Sequence, residues 1–280
     1  MLLVGSGCAL CLAFLPFGRT REPSYNGRPL HAWINDFSWI TFHISSRGGI
    51  TLAETNASIT AILDTAEDAA PWLKAELNAH ESALCRKLHT IASRLPQKLG
   101  GSWVLEQLDP SKPTAAERHR RAALAALILG RRGTALVPNL ANLLNTGDCR
   151  QLSAFALARM GEQGATALAW ALTNTAPEIQ QSALCGLWCT DADLQPAVPA
   201  LFFVLTNHGG FLLTQQVFGS AQHASNAVER FVQAASHHTN WVFRENASAT
   251  LQAFKSRSPA SFQKQGWLRL DQYGNGSYEF

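Results

Sequence analysis

Charge is scarce in this chain. Asp, Glu, Lys and Arg together make up 15% of 280 residues, well below the usual quarter. The formal net charge is only +3, and a nucleic-acid-binding protein concentrates far more Lys and Arg on one face, so nucleic acid is not expected as a partner. Cysteine is thin as well. Cys8 and Cys11 fall in an apolar N-terminal stretch, and Cys85, Cys149, Cys185 and Cys189 are scattered through the body with no disulfide framework. Cys185 and Cys189 stand four apart and share a helix face, but without Cys or His neighbours they do not make a tetrahedral zinc site. They read as small core residues. Catalytic motifs are missing too: there is no phosphate loop, no His-x-Glu metal helix and no Gly-x-Ser-x-Gly elbow. The adjacent pair His237-His238 sits in a turn without a carboxylate or thiol beside it and reads as solvated. No catalytic residue, metal ligand or cofactor site is therefore assigned.

What the chain does have is apolar content, 46% of residues, enough for a substantial core. Met1 to Phe17 carries no charge and gives way abruptly to Gly18-Arg19-Thr20-Arg21. As a helix this run rises about 25 Å, short of the roughly 30 Å hydrocarbon core. Residues 1–21 are read as a hydrophobic leader or membrane anchor, placing the body at the cell envelope, either anchored or exported. The two Arg after the run favour the opposite orientation, with the body in the cytoplasm. Residues 22–50 follow as a turn-rich linker with a short amphipathic capping helix, His31 to Phe37.

The repeating element is a helical hairpin. Thr114-Ala115-Ala116-Glu117 has the spacing of a capping box. The helix that follows stops at Gly130, and a second begins at Val137-Pro138 and closes at Asn145-Thr146-Gly147. An earlier hairpin is expected from Ile59, Ile62, Leu63 and Ala66, with a turn at Glu67-Asp68 and Pro71 in the first turn of its second helix. Later second helices align in columns. Val137, Ala165, Val198 and Val228 form one, Leu140, Leu168, Leu201 and Phe231 the next, at intervals of 28, 33 and 30 residues. First helices match at Ala122-Ala123, Ser153-Ala154 and Ser182-Ala183, small residues that let neighbouring helices approach closely. A period near 30 with two helices per unit predicts an all-α fold, an α-solenoid of about five to six hairpins over residues 51–255 with no β-sheet. Residues 256–280 read as a loosely held polar tail.

The unit from Arg120 to Gly130, followed by Ala135 and Val137-Pro138-x-Leu140, resembles the short bacterial HEAT repeat also found in phycobilin-lyase-like proteins. With Glu22-Pro23-x-Tyr25-x-Gly27-Arg28-x-Leu30-x-x-Trp33, the chain is similar to HEAT-repeat proteins with a hydrophobic leader of verrucomicrobial type. The resemblance implies a scaffold or binding surface, a non-enzymatic role with no cofactor. The alternative it leaves open is a lyase-like or metal-dependent enzyme on the same repeats, although HEAT-like hydroxylases hold iron with several His-Glu pairs and this chain has one, His80-Glu81.

One column points to function. The residue two beyond the column Leu or Phe in each second helix is Asn142, Trp170, Phe203 and Gln233, which in HEAT folds faces the concave side. Two of these are large aromatics, the residue type that anchors interfaces. A protein or peptide partner is expected there, with Asn139, Arg230 and Gln233 as a polar rim. The competing reading has Trp170 and Phe203 filling gaps between helices. The cluster His119-Arg120-Arg121 with Arg131-Arg132 is expected to be a solvated flank.

Overall fold

The computed structural model describes residues 21–36, 39–44, 50–80, 113–147 and 149–208, strands at 266–271 and 276–279, and a few single residues between 233 and 245. The chain begins with a two-residue hairpin, β1 (Ser24–Tyr25) and β2 (Arg28–Pro29), closed by Asn26 and Gly27 at φ of 50° and 76°. This is the left-handed pair that an Asn-Gly turn supplies. Helix α1 (Leu30–Asn35) follows directly. Strand β3 (Trp39–Ile44) and strand β4 (Ile50–Leu52) then pair antiparallel, Phe42 opposite Leu52.

The helical part is built from pairs. Helices α2 (Ala57–Asp64) and α3 (Ala66–Leu77) form the first. Helix α4 (Ala115–Leu129) leads through a 3-10 turn, Gly130–Leu136, into α5 (Val137–Thr146). Helices α6 (Arg150–Ala158) and α7 (Glu162–Ala171) form the next pair, then α8 (Pro177–Trp188) and α9 (Val198–His208). Helices α2, α4, α6 and α8 pack in series as one layer, and α3, α5, α7 and α9 pack in series as the other. Polar bonds repeat between successive pairs. Asn174 donates to Asn145 Oδ1 at 3.3 Å, Thr190 donates to the Ala158 carbonyl at 2.9 Å, and Arg159 donates to the Leu127 carbonyl at 2.5 Å.

Local chemistry sets the helix ends. The capping box forms as read: Thr114 accepts from the Glu117 N–H at 3.2 Å, and Glu117 accepts from the Thr114 N–H at 2.8 Å. Helix α5 ends at Gly147, φ 102°, in the left-handed cap that glycine permits. The small-residue columns are buried: Ala122, Ala123, Ser153, Ala154 and Ala183 are fully enclosed. The tightest approach lies elsewhere, at Gly164, where an added Cβ would stand 1.9 Å from the Leu157 carbonyl oxygen. Helix α7 therefore starts against the backbone of α6.

The expected all-α solenoid without β-sheet is overturned. Besides β1–β2, the chain forms a four-stranded antiparallel sheet of order β4-β3-β5-β6, with β5 (Gly266–Asp271) and β6 (Gly276–Glu279) drawn from the segment read as a loose tail. Ile40 pairs with Leu270 and Phe42 with Leu268. The physical reason is visible in β3, whose Trp, Ile, Thr, Phe, His, Ile run is made of strand formers. Its Ile40 and Phe42 are buried in the same core as the helices, together with Ile50. The first pair is also corrected. The turn falls at Thr65, whose hydroxyl donates to the Ala61 carbonyl at 2.7 Å, and Pro71 lies inside α3 on its exposed side. Its missing N–H leaves the Glu67 carbonyl without the usual helical donor. The expected fifth hairpin (211–236), helix at 80–95 and closing helix (241–254) fall mainly outside the described residues.

Candidate binding surface

The second-helix layer carries the column singled out above. Asn142 on α5 is exposed, Trp170 on α7 is 67% exposed, and Phe203 on α9 is 38% exposed. Helix α7 packs between α5 and α9, so the three residues lie on consecutive members of one layer. Each follows by two residues a buried leucine: Leu140, Leu168 and Leu201 are all fully enclosed. Two residues along a helix turn the direction by about 200°, so burial of the leucine sends its column mate outward. Trp170 is thus not a filler between helices. Gln233 is exposed as well.

Asn139 does not join the rim. It is 8% exposed, and its amide donates to Asn78 Oδ1 at 2.9 Å, tying α5 to the end of α3. Arg230 lies outside the described residues. The exposed positions flanking the column are uncharged on α5 and α7, at Pro138, Thr146, Gln163, Thr166 and Thr173. Charge gathers at the ends of the layer, with Glu67 and Asp68 exposed in the first turn of α3 and Glu162 exposed in the first turn of α7. A carboxylate there complements the helix dipole.

Two features escaped the sequence reading. The first is an open cleft of about 520 Å³ lined by Leu63, Asp64, Ala66, Glu67, Asp68 and Arg132, with the Arg132 guanidinium donating to the Leu63 carbonyl at 3.0 Å. These residues come from α2, α3 and the 3-10 turn after α4, so only folding assembles them. The second is the knot around α1. Glu22 accepts from the His31 N–H at 2.6 Å and lies 2.8 Å from His31 Nδ1, Arg28 stacks over Trp33 at 4.8 Å and is paired with Asp36, and Trp33 donates to the Tyr25 carbonyl at 3.2 Å. Tyr25 bonds Asp64, which holds its phenol above the ordinary value. The Asn26-Gly27 dipeptide was the available signal for this hairpin. This knot accounts for the Glu22-to-Trp33 motif as a self-bonded cap on α2 and α4, which α1 packs against.

The basic cluster splits on folding. His119 is buried with Nε2 2.8 Å from the Ala79 carbonyl, which can only accept, so Nε2 carries the proton. Arg118 grips Glu76 through two bonds of 2.9 and 2.8 Å, and Arg131 pairs with Asp191 at 3.0 Å. Within the cluster itself His119 is buried, Arg120 and Arg121 are partly buried, and Arg131 and Arg132 are exposed. Cys149 and Cys189 are buried free thiols and Cys185 is partly buried. Burial pushes the thiols of Cys185 and Cys189 upward, away from the reactive thiolate. Among the described residues no three His, Cys, Asp or Glu side chains gather as a metal site, and no helix is long and apolar enough to cross a membrane.

No family model and no curated protein matches this chain. Among solved structures, two crystal structures of engineered proteins from a structural genomics consortium are similar. One is 18% identical and covers 70% of this chain and 92% of its own, with a TM-score of 0.33. The other is 20% identical and covers 73% of this chain and 62% of its own, with a TM-score of 0.32. Likeness at this level assigns neither a family nor an activity.

Proposed function

We propose that this chain is a non-enzymatic binding scaffold that takes a protein or peptide partner on the open face of its second-helix layer. The observation that carries the reading is Trp170, 67% exposed at the centre of that face with Phe203 on the next helix. Large exposed aromatics are costly to leave in water and are the side chains that dominate interface energetics. Kinship with HEAT-repeat binding proteins, carried by residues 22–33 and 117–145, belongs to the same proposal. So does placement at the cell envelope, anchored or exported through the uncharged run Met1 to Phe17.

The test is a crosslinked pull-down from the native envelope fraction with wild type, Trp170→Ala and Phe203→Ala. Loss of one defined partner in variants whose melting temperature is unchanged supports the reading. Variants that unfold, or that retain the partner in full, overturn it. Stoichiometric iron or a bound chromophore in the purified protein would equally overturn the non-enzymatic assignment.

A further inference from the structure

We draw no further inference here: the strongest candidate, the open cleft between the end of α2, the first turn of α3 and the 3-10 turn after α4, is a cluster of exposed carboxylates (Asp64, Glu67 and Asp68) with the exposed Arg132 guanidinium set among them, and no second observation there points to a ligand.

Discussion

The helical layers of residues 115–208 and the sheet that joins residues 39–44 to 266–271 are held together by different rules. In the layers polar contacts recur between neighbouring pairs about 30 residues apart, as in the bonds from Arg159 to Leu127 and Asn174 to Asn145. In the sheet, Phe42 pairs with Leu268 across almost the whole chain. The first kind of contact is stabilised pair by pair. The second forms only after a long loop closes, and its closure entropy is offset by packing of Ile40, Phe42 and Ile50 into the common core. Arg159 is a polar link between the two regions. Arg159, at the end of α6, donates to the Leu127 and Ile128 carbonyls at the end of α4 and lies over the Phe42 ring at 5.7 Å. Burial lowers its pKa to about 10, with nearby Asp191 opposing that shift, so it stays a cation at neutral pH.

The comparison can be broken most forcefully at Phe42. Phe42→Ala should cost about 3–5 kcal/mol, and hydrogen exchange should show β3 and β5 losing protection before α4 to α8 do. Simultaneous loss everywhere would mean that the two regions are one cooperative unit. Next is Gly164→Ala, which drives a methyl into the Leu157 carbonyl and should cost about 1–3 kcal/mol or more by forcing α6 and α7 apart. Chemical denaturation measures it, and a change under about 0.5 kcal/mol would show that the close approach is slack.

Arg159→Met keeps much of the volume but removes the donors to two helix-end carbonyls. A loss of about 1.5–3 kcal/mol is expected, with the melting temperature falling for sheet and helix signals together. At the exposed cap the effect is smaller. The hydrogen bond from Arg28 holds the Asp36 carboxyl below its usual value. The pair therefore contributes stability above the unfolded carboxylate pKa of about 3.9 and loses it as pH falls through the lower folded value. Arg28→Gln should flatten that part of the acid limb in a denaturation series, and an unaltered acid limb would refute the assignment. Smallest of all, Trp170→Ala should leave stability within about 0.5 kcal/mol of wild type, because its side chain faces solvent while Leu168 and Ala169 beside it hold the core.

The legible parts of the fold were those whose chemistry is local. Thr114 and Glu117 cap each other three residues apart, Pro138 and Gly147 bracket α5, and Leu140, Leu168 and Leu201 recur with the helical period. The exposed column was legible for the same reason, since on α5, α7 and α9, which bury one face, the position two residues beyond the buried leucine is turned about 200° from it. Asn139 was misplaced because its burial depends on Asn78 of another helix pair. Thr65 was missed because Pro71 is the stronger sequence signal for a helix start, and here it is tolerated on a solvent face inside α3.

Sequence alone determined helices α4 to α9 in their order, the caps of α4 and α5 and which leucines turn inward, because those follow from dihedral preference and periodicity within a turn or two of chain. Tertiary structure decided that the C-terminal strands return to residues 39–44, that Asp64, Glu67, Asp68 and Arg132 share a cleft, and that Arg159 joins sheet to helix. Each of these is a meeting of groups far apart along the chain. No local pattern encodes such a meeting, because its partner is selected by shape and burial after the layers have formed.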